Sequence, residues 1–155
     1  IETRALYDEP FRVVLPADHP WAGRDAVGAS ELAREQVLLL GAGHCFRDQV
    51  LTACPDCGSQ LGTPGGDGQL EGSSLETIRH MVASGTGITV LPCTATHTTY
   101  APGLLAVRPF RDPVPRRRVA LAWRRSFPRP EALRTLEAAI RLCDLGCIDT
   151  IDEPA

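Results

Sequence analysis

Ser73-Ser74-Leu75-Glu76-Thr77-Ile78-Arg79-His80-Met81-Val82-Ala83-Ser84-Gly85-Thr86-Gly87-Ile88-Thr89-Val90-Leu91-Pro92 changes its hydrophobic period half-way, and that change decides the fold class. Ser73, with Glu76 three residues on, forms a capping box, and Leu75, Ile78, Met81 and Val82 recur at helical spacing until Gly85. Ile88 to Leu91 is then an apolar, β-branched run closed by Pro92, which predicts a strand. A helix feeding a buried strand is half of a crossover unit, and repeated units of this kind build an α/β sheet.

The same alternation extends in both directions. Toward the N-terminus, Phe11-Arg12-Val13-Val14-Leu15 predicts a strand stopped by Pro16, and Val37-Leu38-Leu39-Leu40 a second bounded by Gly41. Between them Ser30 is placed to N-cap a short helix running to Glu35. Pro55 to Gln69 is rich in Gly, Pro and Asp without periodicity, which predicts an exposed loop. Toward the C-terminus, Tyr100 to Gly103 carries turn residues and marks a hinge or boundary, after which Leu104 to Val107 and Val119 to Trp123 read as strands. Pro130 opens an amphipathic helix with Leu133, Leu136, Ile140 and Cys143 on one face, ending near Gly146.

With 155 residues, 43% of them hydrophobic, the chain is long enough for one domain or two small lobes with a stable core. Its longest apolar runs fall far short of the ~20 residues of a membrane-spanning helix, and no signal-peptide pattern opens the sequence. A cytoplasmic location with no membrane role is expected. The net charge of −3 argues against a nucleic-acid surface on this chain itself. Arg116-Arg117-Arg118 and Arg124-Arg125 flank an apolar strand and read as its solvated ends.

Six cysteines carry the remaining chemistry, and their uneven spacing favours reduced thiols over a disulfide scaffold. Cys45 follows Gly41-Ala42-Gly43-His44 and opens a helix, so helix-end N–H groups, His44 and Arg47 favour its thiolate. Arg47 is equally placed to pair with Asp48 or Glu35. A thiolate there attacks a peroxide oxygen to give a sulfenic acid, which condenses with a second thiol. Cys54 is the natural partner, but nine helical residues separate the two Cα atoms by about 13 Å, so joining them requires the helix to melt or shift. Cys54-Pro55-Asp56-Cys57 is a C-x-x-C pair that follows the helix and opens a loop, unlike a thioredoxin motif, and no second pair completes a zinc site, so no metal and no cofactor is expected. Cys93 at a strand end and Cys143 on a helix face are expected to be structural; Cys147 lies beyond that helix, and its role, a free surface thiol or another, is left open by the sequence. Ser73, Ser74 and Thr77 hydroxyls cap their helix and also suit a small anion.

Several of these segments together resemble the regulatory domain of OxyR-type hydrogen-peroxide sensors among the LysR-type transcriptional regulators. Asp8-Glu9-Pro10 and Asp18-His19-Pro20-Trp21-Ala22 are similar to the general LysR-type pattern, Gly43-His44-Cys45-Phe46-Arg47-Asp48-Gln49 with Cys54 to the redox segment, and residues 74–92 to the helix and strand after it. The resemblance covers about residues 5 to 145. It implies a two-lobed α/β fold like that of periplasmic binding proteins: residues 1–8 as hinge and strand from lobe one, 9–117 as lobe two with the redox segment at 43–57, and 118–155 returning to an incomplete lobe one. It implies Cys45 as the peroxidatic and Cys54 as the resolving cysteine, with Gly43, His44, Arg47 and Arg117 around the peroxide, and no enzymatic turnover. The loop after Cys54 is longer than the family pattern and adds Cys57 as an alternative resolving thiol. The partners implied are hydrogen peroxide, further copies in a homodimer or homotetramer, RNA polymerase, and promoter DNA through a helix-turn-helix domain absent from this chain. Two other functions fit the residues: a LysR-type domain binding a small metabolite between lobes with the cysteines incidental, and a thiol oxidoreductase using Cys54 and Cys57.

Overall fold

A computed structural model describes residues 1–55, 71–96 and 103–151. Its strands are β1 (Glu2–Pro16), β2 (Val37–Leu40), β3 (Glu71–Gly72), β4 (Ile88–Pro92), β5 (Leu105–Pro109), β6 (Arg116–Trp123) and β7 (Asp149–Thr150), and its helices α1 (Cys45–Ala53), α2 (Leu75–Ala83) and α3 (Pro130–Leu142). β2 is buried at all four positions because it lies between β3 and β4, parallel to both, with side chains packed on either face. The strands are ordered β3-β2-β4-β1-β5, with β1 antiparallel to β4 and β5.

Strand alternation divides the core into two layers. Phe11, Val13 and Leu15 of β1, Val37 and Leu39 of β2, and Ile88 and Val90 of β4 face one side, where Val50 of α1 and Cys54 just after it join them. Val14, Leu38, Leu40 and Leu91 face the other and pack against Ile78 and Val82 of α2. Each fully buried Leu, Ile or Phe contributes about 1.5–3 kcal/mol, so the two helices are held chiefly by these contacts.

β1 is fifteen residues long and serves two sets of strands. Its first part pairs with β6 from Glu2↔Trp123 to Pro10↔Arg116 and with β7 at Tyr7↔Thr150 and Asp8↔Asp149. Its second part pairs with β4 and β5. The chain passes from one set to the other around Glu9–Phe11, where the Phe11 amide donates to Pro115 O at 2.9 Å.

Four expectations change. Ser74, not Ser73, caps α2: its Oγ accepts from Thr77 N at 3.1 Å, because Ser74 is the last extended residue before the helix. The segment Ala29–Arg34 is a 3₁₀ helix that starts after Gly28, whose amide is held by the Glu31 carboxylate at 2.8 Å, so Ser30 lies inside it. α3 ends at Leu142, and none of its residues is buried; Leu136 and Leu142 are exposed, and so is Cys143 just beyond it, which is therefore no core cysteine. Arg116, Arg117 and Arg118 lie within β6 rather than beyond its end, and each meets a carboxylate, Asp149, Glu9 and Asp8 respectively. The predicted loop at 56–69, with Cys57, lies outside the described residues, as do residues 97–102, most of the predicted hinge. Among the described residues no helix is long and apolar enough to cross a membrane.

Candidate functional site

The turn that delivers the chain into α1 is set by two glycines. Gly41 donates to Gly72 O at 3.2 Å, fixing the end of β2 to β3, and Gly43 takes φ +95°, open to glycine and rarely to other residues. His44 is the extended N-cap residue, with its amide on Gly41 O and no side-chain capping bond. Cys45 is therefore the first helical residue, exposed, at the end of α1 where unpaired N–H groups gather.

Three side chains seat the helix. Val50 and Cys54 are buried, and Phe46 packs edge-on against Phe11 with ring centroids 5.6 Å apart. Asp48, Gln49 and Thr52 face solvent. Arg47 is directed toward the neighbouring strands: its guanidinium donates to Leu40 O at 2.9 Å and meets the Glu71 carboxylate. Cys45 and Cys54 are nine residues apart, so they lie about two and a half turns and ~13 Å apart along the axis and on opposite sides of it. One thiol is in solvent and the other is 2% exposed.

Arg117 connects this helix to the rest of the molecule. Its guanidinium lies 5.6 Å from the centroid of the ring of Phe46, the residue that follows Cys45 in the chain, and binds the carboxylate of Glu9, with Nε 2.7 Å from Oε2. Glu9 is fully buried, and its other oxygen accepts from Thr94 N at 2.9 Å and from the Thr94 hydroxyl. Beside this pair Tyr7 has its phenol pKa pushed up, first by burial and then by the charge of Glu9. Asp8 is clamped by Arg118 through two bonds of 2.8 Å, and that hydrogen bonding holds its carboxyl below the usual range. A groove of about 580 Å³ runs between the outer face of α1 and the Pro113–Arg118 segment, lined by Asp48, Gln49, Thr52, Val114 and Arg117 among others.

Of the residues singled out from sequence, Gly43, His44 and Cys45 are neighbours at the start of α1, Arg117 lies over the ring of Phe46, and Arg47 and Cys54 are directed elsewhere, to Glu71 and into the core. Two features lay beyond sequence reasoning. Glu9 is 85 and 108 positions from its partners, so the sequence marked it only as part of the Asp8-Glu9-Pro10 pattern and gave no sign of what it binds. Cys93 and Cys147 form a disulfide, with Cα atoms 6.2 Å apart, which corrects the expectation of six reduced thiols and gives Cys147 the role that the sequence left open. Their separation of 54 residues left no local signal. Among the described residues no cluster of His, Cys, Asp or Glu is arranged to hold a metal ion.

The pattern of the LysR substrate binding domain matches residues 1–142. The chain belongs to the LysR substrate-binding domain family. It is 38% identical to the DNA-binding transcriptional dual regulator OxyR of Escherichia coli K12 over 146 residues, which is 94% of this chain and 46% of that protein. It also resembles two solved structures: the reduced form of the OxyR regulatory domain from Pseudomonas aeruginosa (55% identity, TM-score 0.79, 92% of this chain and 66% of that one) and a reduced form of OxyR from Neisseria meningitidis (45% identity, TM-score 0.87, 97% and 69%). This family member spans about half the length of the curated relatives it matches.

Proposed function

We propose that this LysR-family chain is the hydrogen-peroxide-sensing regulatory part of a transcription regulator, with Cys45 as the peroxidatic and Cys54 as the resolving cysteine. The observation that carries the reading is the placement of the two thiols at opposite ends of α1, one exposed at the helix start and one buried just beyond its end, in a chain so similar to OxyR. The Cys45 thiolate attacks one oxygen of hydrogen peroxide, the O–O bond breaks, and the departing hydroxide takes a proton to leave as water. Cys54 then attacks the sulfenic sulfur, a second water leaves, and a disulfide forms at the expense of two thiols. Because the partners begin on opposite sides of a nine-residue helix, the second step must unwind α1. That unwinding withdraws Phe46 from Phe11 and Arg117, and Val50 from the core, which is the conformational signal.

In this reading Gly43 and His44 shape the approach to Cys45, Arg117 supplies positive charge from across the groove, and Arg47 joins only after leaving Glu71. Residues 9–117 act as lobe two, with residues 1–8 and 118–155 as parts of lobe one. The intact regulator binds promoter DNA through a helix-turn-helix domain outside this chain, works as a homodimer or homotetramer that engages RNA polymerase, and acts in the cytoplasm as a stoichiometric sensor rather than an enzyme. Peptide mass mapping after peroxide treatment tests the switch: beside the Cys93–Cys147 bridge already present, the expected new product is a Cys45–Cys54 bridge, or Cys45–Cys57 if the alternative thiol resolves, and a chain in which Cys45 joins neither thiol overturns it. The groove beside α1 has the volume of a small-molecule site and favours metabolite binding as the second reading. Unchanged regulation by a Cys45→Ser form of the intact protein would favour that reading instead.

A further inference from the structure

Cys93 and Cys147 take no part in the peroxide reaction proposed above, and they join two distant parts of the chain. Cys93 follows β4 directly and is 1% exposed, whereas Cys147 lies two residues before β7 and is partly exposed. β7 itself is only Asp149–Thr150, paired with Tyr7 and Asp8 of β1, and its end is held by the Ile151 amide on Leu6 O at 3.0 Å and by Arg141 on Ile151 O at 2.8 Å. The buried Glu9 carboxylate approaches Cys93 Sγ to 3.9 Å. In the reduced state an external disulfide meets the partly exposed Cys147 before the enclosed Cys93, so Cys147 is the thiol that reacts first.

We propose that Cys93 and Cys147 are a second, separate redox site: a thiol–disulfide couple that exchanges with low-molecular-weight disulfides of the glutathione class and fastens the β7 segment to the end of β4. The Cys147 thiolate attacks one sulfur of the external disulfide, whose S–S bond breaks and releases one thiolate. Cys93 then attacks the Cys147 sulfur of the mixed disulfide, and the second small thiolate leaves with the proton that Cys93 gives up. Two protein thiols are oxidised, and one external disulfide is reduced to two thiols. The reverse sequence begins by attack on the partly exposed Cys147 sulfur. Closing a loop of 54 residues restrains the segment that carries β5, β6 and α3 and anchors its end two residues before β7, so oxidation tightens the attachment of β7 to β1 and reduction loosens it. The site thus responds to the thiol–disulfide balance, while Cys45 responds to peroxide, and the inference does not rest on the peroxide reading.

The test equilibrates the full chain anaerobically, without peroxide, in mixtures of reduced and oxidised glutathione, then alkylates free thiols and maps peptides by mass. Cys93 and Cys147 should pass together from alkylated to bridged as oxidised glutathione rises. A glutathione adduct should collect on Cys147 in Cys93→Ala, and Cys93 should stay free of adduct in Cys147→Ser. The Ile151 amide should exchange with solvent at least ~10-fold faster in the reduced chain. A bridge that withstands excess reduced glutathione in the folded chain, an adduct formed on Cys93 in preference to Cys147, or unchanged Ile151 exchange overturns the proposal. Should Cys93→Ala not fold, the parent chain and Cys147→Ser still decide it. None of these outcomes bears on whether Cys45 reacts with peroxide.

Discussion

Glu9 shows how much one buried residue can organise. Its two oxygens accept from Thr94 and Arg117, and Arg117 in turn covers Phe46, so a carboxylate in β1 fixes the position of the helix that carries Cys45. Replacing it by alanine leaves the Arg117 guanidinium facing a cavity with no counter-charge. Because Arg117 keeps some access to solvent, Glu9→Ala should cost about 3 kcal/mol, the lower end for breaking a buried ion pair. Denaturant unfolding measures this, and a loss under about 1 kcal/mol, the range of a surface pair, would show that the pair does not hold the node. Asp8, next along the strand, works differently: it is a clamped surface carboxylate, and its contribution depends on remaining charged.

At the scale of elements, the start of α2 separates two serines that the sequence could not. Ser74→Ala removes the oxygen that accepts the Thr77 amide and should cost about 1 kcal/mol, whereas Ser73→Ala should stay within about 0.5 kcal/mol of the parent. Equal losses in thermal or denaturant unfolding would contradict the cap assignment. The helix was legible because Leu75, Ile78 and Val82 keep a strict apolar face, and so were β2 and β4, whose unbroken apolar runs are what a strand covered on both faces requires. The start of α1 was legible for a different reason, since Gly41 to Gly43 announce a turn that only glycine enters easily. What escaped was whatever depends on distant partners. No local pattern tells that Glu9 meets Arg117, that Arg47 turns to Glu71 rather than Asp48, or that Cys93 meets Cys147. The amphipathic face of α3 was read correctly as a pattern, but the expected burial did not follow, because burial also needs something to pack against.

At the scale of the whole molecule, carboxylates tie the outer strands and helices to the sheet. Hydrogen bonds from Arg118 lower the pKa of Asp8, those from the Gly28 amide and Arg24 lower that of Glu31, and those from Arg4 and Arg141 lower that of Glu137. A carboxylate whose folded pKa is depressed contributes stability that is complete above its unfolded value, about 4, and is lost as pH falls through the lower folded value. The chain should therefore unfold more easily as pH drops below about 4, with little change between 5 and 7 from these groups. Unfolding free energies measured from pH 7 to 3 check this, and Asp8→Asn should shallow the acid slope; an unchanged slope would mean that the Arg118 clamp carries no pH-linked stability.

β1 lends the middle strand to both halves of the structure, its first part to β6 and β7 and its second to β4 and β5. Neither half owns a complete sheet without those fifteen residues. In evolutionary terms the halves are therefore not interchangeable parts. A recombination or truncation boundary placed inside Glu2–Pro16 removes the centre of two sheets at once, so new variants of this scaffold must arise by substitution and loop change around β1, or be inherited with that strand entire.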